Sequence, residues 1–507
     1  MSKTVQKGAP RAKKAKPEGK AQAARSKERA DDQALGALQS PYPGLNFYEY
    51  KYAPYFAGRD REIGECVQAL LGANVLILHG ATGCGKSSFL RAGVKPHIGR
   101  LGHGEGFTGG EDEFEVIRST HEPLKAFAAE VQRIANKLTK KMVKPGKSPD
   151  SVREMFNDPR RGPRIGRDAL ATLEVARALA DVMQPAPILV IDQAEEVFTL
   201  NTKRRREAAE QRQLTQADVE EREEEIEQYF RFLWDIAFNK DGANNGLRLV
   251  VSLRTEYKGQ FDDAITRVKS RHPGPGLAGF YLDQLGEDGL VEAIRRPTLN
   301  AEEWEREVAS RGLGLSEPPP RPPNAFKFRF QHRRDENGKV DHFVARRLAR
   351  ELLSGDAVPA GGVLPALQVG CLRLFNQAAR AMEGVDGEFV VRLTHLRRIG
   401  SLRDQIHEYL SECIEEECGP HAPQERLVEQ GSDQKQVEFG ELVDTFHKAL
   451  ARTLVGSEAD GRAVTAQVDD AVFRAKMQEW FTGRLEIELV MDVMEKLVHR
   501  YSLLRKD

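Results

Sequence analysis

A lysine and a serine placed behind three glycines, Gly80-Ala81-Thr82-Gly83-Cys84-Gly85-Lys86-Ser87, have the makeup of a phosphate cradle. Gly80, Gly83 and Gly85 let the backbone wrap an anion, and Ala81, Thr82, Cys84 and Ser88 complete the contact set. Lys86 is placed to reach the β- and γ-phosphates, and Ser87 to offer its hydroxyl to Mg²⁺. Such a loop works only where a buried strand delivers the chain and a helix leaves it, because the helix N-terminus aims N–H groups and its dipole at the anion. Val75-Leu76-Ile77-Leu78 supplies the strand and Ser88-Phe89-Leu90-Arg91-Ala92 the first helical turns. Strand, loop and helix together predict binding of a nucleoside triphosphate: ATP, or ADP as product, with Mg²⁺.

Hydrolysis needs a second acidic group, delivered from the end of a neighbouring strand to hold the Mg²⁺ shell. Ile188-Leu189-Val190-Ile191-Asp192 has that form, four aliphatics ending in a carboxylate, and makes Asp192 the second metal candidate beside Ser87. Glu195 and Glu196 follow it, and either can polarise a water for in-line attack; residue types do not choose between them. A further strand ends Val250-Val251-Ser252-Leu253-Arg254, which puts Arg254 forward as a reporter of the γ-phosphate, or as a surface arginine paired with Glu256.

These residues require a parallel sheet to position them, and the chain alternates accordingly. Amphipathic Arg61 to Leu71, strand-like Phe114 to Arg118, a helix from Pro123 to about Leu138 and another from Asp168 to Met183 precede the Asp192 strand. Leu247 to Leu253 reads as the next strand, Tyr281 to Leu285 as a short last one, and Asp288 to Arg296 as a helix. The predicted fold is α/β: a nucleotide-binding core with a doubly wound parallel sheet, then a mainly helical stretch and a last part whose helices and short strands are compatible with a winged helix. Its expected divisions are a basic tail over 1–40, the core over 41–298 with a charged helical insertion at 201–228, a Pro-rich connector over 299–342, the helical stretch over 343–420 and the winged-helix-like part over 421–507.

Composition sets limits. The 507 residues carry a formal net charge of −1, yet residues 1–40 hold ten Lys and Arg against four Asp and Glu. That stretch, almost without large apolar residues, is expected to be disordered, and its charge suits nucleic acid or an acidic partner as well as a plain solubilising leader. No apolar run approaches the roughly 18 residues that span a bilayer, so no membrane partner is expected. Five cysteines without zinc or redox spacing suit a reducing cytoplasm.

Several motifs together resemble the STAND class of signal-transducing NTPases, AAA+-related proteins, and within it the first novel STAND subfamily of bacteria. Pro41-Tyr42-Pro43-Gly44-Leu45 and Tyr55-Phe56-Ala57-Gly58-Arg59-Asp60 are similar to its P-Y-x-G-L leader and F-F-x-G-R-E box. The loop's continuation Ser88-Phe89-Leu90-Arg91-Ala92-Gly93-Val94, and Val190-Ile191-Asp192-Gln193-Ala194-Glu195-Glu196-Val197-Phe198, match the family pattern except that Ala194 stands where the family has a bulky aromatic. Gly362-Val363-Leu364-Pro365-Ala366-Leu367-Gln368 is similar to its lid segment. The resemblance implies that 343–420 is a helical lid and 421–507 a winged-helix-like domain closing over the nucleotide. It further implies that Arg59 lies by the adenine, that Pro365 starts the lid helix against the nucleotide, and that an ATP-bound form self-associates in bacterial signalling, defence included. Relatives append a sensor or effector, so that role is expected of an unidentified partner protein, an extension or the tail. The alternative is an AAA+-like ATPase acting on DNA through a winged helix and the basic tail; a scaffold that only binds nucleotide fits poorly with intact Lys86, Ser87 and Asp192.

Overall fold

The computed structural model describes residues 40–100, 114–118, 123–139, 142–183, 187–198, 216–238, 248–271, 277–299, 302–304, 307, 328–334, 336, 340–354, 363–382, 387–399, 409, 445–446, 448–450, 455–457, 463–465, 470–481 and 490–494. Five strands form one parallel sheet: β1 (Val75–Gly80), β2 (Phe114–Arg118), β3 (Ile188–Asp192), β4 (Arg248–Arg254) and β5 (Ala278–Tyr281), in the order β2-β3-β4-β1-β5. The central runs are aliphatic at successive positions because both faces are covered. Leu76, Leu78, Ile188, Val190 and Val250 pack on α1 (Asp60–Gly72) and on the helical segment α2 (86–100). Val75, Ile77, Leu189, Ile191, Leu249 and Val251 face the other way, toward α3 (Pro123–Lys137), α4 (Asp150–Asn157), α5 (Ala169–Val182) and α6 (Gln216–Ala237).

Three local expectations change. The last strand lies at Ala278–Tyr281 rather than Tyr281 to Leu285, because its pairing with Leu76–His79 of β1 decides the register and an isolated run of four residues does not. The middle of α2, Phe89–Val94, winds as a π-helix instead of regular helical turns; Phe89, Leu90, Ala92, Gly93 and Val94 are all buried, between the sheet and the aromatic leader. The charged run expected as a solvated insertion continues into α6, whose Phe230, Phe232, Leu233 and Trp234 belong to the core; residues 199–215 lie outside the described set.

Beyond α7 (Lys258–Arg271) and β5 a second unit with its own core begins. It contains α8 (Glu287–Arg295), β6 (Phe328–Phe330), β7 (Arg333–Arg334) paired with β8 (Val340–Asp341), α9 (Phe343–Leu353), α10 (Val363–Ala381), β9 (Phe389–Val391) and α11 (Leu393–Ile399). β6 pairs in parallel with β9, so the stretch read as a connector carries a strand of this unit. Leu290, Ile294, Phe330, Leu348, Leu367 and Val391 meet in its interior, and Tyr42 of the leader joins them. Toward the C-terminus an antiparallel pair, β10 (Val455–Ser457) and β11 (Ala463–Thr465), precedes α12 (Asp470–Phe481). Residues 1–39, the Pro-rich 317–323 and most of the segment expected to form a winged helix lie outside the described residues.

Candidate nucleotide-binding site

β1 ends at Gly80, where an added Cβ would stand 2.4 Å from the Leu282 carbonyl oxygen, so only glycine lets the chain turn there. Gly85 closes the turn in the left-handed region, φ +90°, a conformation glycine adopts without the Cβ penalty. Lys86 then opens α2, and its Nζ donates to the carbonyls of Gly80 at 2.9 Å and Ala81 at 3.1 Å. The ammonium is thereby held over the loop by its own backbone. Cys84 is buried, and burial pushes its thiol up, so the loop's cysteine is held as a neutral thiol.

Arg59 is 2% exposed and serves the loop from behind. Its Nη2 donates to Cys84 O at 3.1 Å and to Asp283 O at 2.6 Å, and its Nη1 meets Glu62 at 3.1 Å. It thereby joins the start of α1, the loop and the chain leaving β5.

Across the sheet β4 separates β1 from β3, with Gly80 opposite Arg254. The tips of three adjacent strands therefore present Gly80, Arg254 and Asp192 along one edge. Asp192 is 4% exposed, and one carboxylate oxygen accepts from Gln193 N at 3.1 Å. Gln193 has φ +57°, the one non-glycine residue in the left-handed region among those described. That kink sends the chain back across the strand tip, where Ala194 N donates to Ser252 O of β4 at 2.9 Å. The bulky family side chain is absent here, and Ala194 is buried.

The kink separates the two glutamates. Glu195 is 4% exposed, its Oε1 is 3.0 Å from Arg254 Nε, and its Oε2 accepts from Arg254 N at 3.3 Å. Burial pushes its carboxyl above the usual range, with Arg254 and Lys86 acting in the opposite direction. Glu196 is half-buried one residue further on. Arg254 thus pairs with Glu195, not with Glu256, a choice invisible in a sequence where Glu256 is the nearer neighbour. Beside the site His79 has Nδ1 3.3 Å from Thr255 Oγ1 and its ring centroid 5.2 Å from that of Tyr281.

The lid segment also reaches the loop. Leu364 Cδ1, in the first turn of α10, lies 3.0 Å from where a Gly85 Cβ would stand, and Pro365 follows it. Sequence reasoning gave Pro365 a role but none to Leu364 and Gln368 of the same motif, nor to Tyr48. Tyr48 and Gln368 lie 320 positions apart, and no pattern in the sequence joins them.

A parallel sheet with an interior strand that feeds a glycine loop, and an acid at the tip two strands away, defines a P-loop NTPase. The profile described as Novel STAND NTPase 1 matches residues 41–313, more than half of the chain, and the chain belongs to that family. It is therefore a P-loop NTPase. No curated protein matches the chain. Among solved structures, a Walker-type ATPase of Pyrococcus abyssi is 12% identical, covering 85% of this chain and 98% of that one, with a TM-score of 0.31. The Aeropyrum pernix ORC2 protein, in ADPNP–ADP complexes, is 12% identical, covering 88% of this chain and 95% of that one, with a TM-score of 0.32. At TM-scores this low neither likeness bears on this chain. Among the described residues no helix is long and apolar enough to cross a membrane.

Proposed function

We propose that this NTPase hydrolyses ATP slowly and is a nucleotide-controlled conformational switch for signal transduction, resting with ADP and self-associating with ATP. The observation that carries the reading is the bond between Glu195 and Arg254. A carboxylate that must leave an ion pair and a backbone N–H before it can polarise water turns over slowly. The same movement frees a guanidinium at the tip of β4, beside Gly80, to meet a γ-phosphate. Water activation and phosphate sensing are then released together, by the parting of one pair of side chains.

The remaining roles follow from placement. Lys86 exchanges two loop carbonyls for phosphate oxygens. Ser87 and Asp192 are hard oxygen donors of the kind Mg²⁺ takes, and among the described residues no group of three or more His, Cys, Asp or Glu could hold a metal. These two residues would hold Mg²⁺, which would supply charge neutralisation at the phosphates. Arg59 holds the loop's shape from beneath, on the side where the family resemblance puts the adenine. Leu364 against the loop, with Pro365 next to it in the chain, would give the lid a differential contact with the nucleotide, which is what biases a bistable arrangement.

A sensor or effector protein as partner, a cytoplasmic location and a part in bacterial defence belong to this proposal on the strength of the family. The DNA-acting alternative draws on the charge of residues 1–40 and on the expected winged helix. Light scattering with ATP-Mg²⁺, alongside phosphate release, tests the reading: mass should grow with ATP while turnover stays slow. Sequence-preferring duplex binding that survives deletion of residues 1–40, without growth in mass, overturns it in favour of the DNA-acting enzyme.

A further inference from the structure

The aromatic leader ahead of α1 runs between the second unit and the phosphate-loop helix, fastened at both ends. Tyr42 is fully buried, and its hydroxyl donates to Ile294 O of α8 at 2.5 Å. Tyr48 is buried where α2 and α10 approach. Its N–H donates to Ser88 Oγ at 3.2 Å, and its hydroxyl donates to Gln368 Oε1 of α10 at 2.9 Å, with Pro41 O at 3.3 Å also in reach. Glu49, next in the chain, accepts from Arg91 of α2 at 3.1 Å on each oxygen.

The attachment points matter more than their number. Ser88 directly follows Ser87, the residue assigned to the cation, and stands two positions after Lys86. Gln368 lies four residues after Leu364, on the same face of α10, and Leu364 is the residue that touches the loop at Gly85. The lid helix thus meets the phosphate-loop turn directly through Leu364 and again through Tyr48. Gln368 and Tyr48 are both buried, so separating them strands polar groups away from water.

We propose that Tyr48 is a positioning residue that ties the lid helix α10 to the phosphate-loop helix, so that nucleotide held at the loop orders the lid through it. The proposal rests on the nucleotide reading of the loop. A Tyr48 that only fills space gives a different result: loss of its hydroxyl then loosens the protein equally with and without nucleotide.

Hydrogen exchange on the full chain, with and without ATP-Mg²⁺, separates the two by following residues 80–94 and 363–381 in parallel. In the wild type nucleotide should slow exchange in both segments. In Tyr48→Phe and in Gln368→Leu the loop segment should keep its nucleotide protection within about twofold, whereas that of α10 falls about tenfold, the worth of one buried hydrogen bond. The double variant should be no worse than either single one, since both remove the same bond. Nucleotide protection of α10 equal to wild type in either variant overturns the proposal, and Gln368→Leu decides it alone if Tyr48→Phe fails to fold. No nucleotide protection of residues 80–94 in the wild type sinks the nucleotide reading and the Tyr48 link together.

Discussion

Among the described residues, charge is buried at the phosphate-loop edge of the sheet and around α8, and it is held differently at each. Around α8 the arginines are saturated. Arg295 forks onto Glu292, at 2.9 and 2.6 Å, and onto Glu307, while Arg296 grips both oxygens of Asp60 across 236 positions of chain. At the loop edge Lys86 rests on two backbone carbonyls, and Glu195 on a single guanidinium nitrogen and one N–H. Fork-to-fork pairs fix geometry and leave nothing for a ligand, whereas the contacts of Lys86 and Glu195 are ones that phosphate oxygens and water can replace. Glu195 is as buried as Arg296, yet its exchangeable contacts mark chemistry where the fork of Arg296 marks structure.

The contrast is broken most severely at Lys86. Lys86→Ala should abolish ATP-dependent thermal stabilisation while leaving the melting temperature without nucleotide close to wild type; undiminished stabilisation would show that the loop is misassigned. Glu195→Gln should slow phosphate release at least about 100-fold and keep ATP affinity within about tenfold, since water activation rather than binding is lost. An unchanged rate there would move the base to Glu196 or remove it from the mechanism.

On the structural side, Arg296→Ala should cost about 3 kcal/mol in denaturant unfolding, because Asp60 loses its partner in a buried setting, with little effect on the rate per folded molecule. A rate that collapses while stability holds would erase the distinction between the two regions.

Two pH effects sharpen it further. Burial raises the Glu195 carboxyl, and a base must be ionised, so the rate should fall with decreasing pH well before an ordinary glutamate near pH 4.3 would be protonated. Arg254→Ala removes an opposing charge and should move that limb higher still. His342 titrates in the opposite sense: burial first, then Arg295 and His332, lower it to about 4, against Glu307 and Glu292. The unfolded chain takes up that proton first, so this part of the stability is present above about pH 6.5 and is lost between there and pH 4. Melting curves of His342→Gln over that window should be flatter than wild type.

What the sequence by itself determined was local. Three glycines behind an aliphatic run permit little besides a strand, a tight turn and a helix start, and a carboxylate closing another aliphatic run must emerge at a strand tip. The helices from Asp60, Pro123 and Ala169 were legible for the same reason, since their apolar spacing lies within a few residues. Tertiary structure decided everything that depends on which elements meet. It settled that Arg254 holds Glu195 rather than Glu256, and it moved β5 upstream to pair with β1. It drew Phe328–Phe330 from the Pro-rich stretch into a strand beside Phe389–Val391, and it brought Tyr48 against Gln368. Periodicity records which face of an element is buried but not what buries it, so partners hundreds of residues apart become visible only once the sheet order and the packing of α8 and α10 are formed.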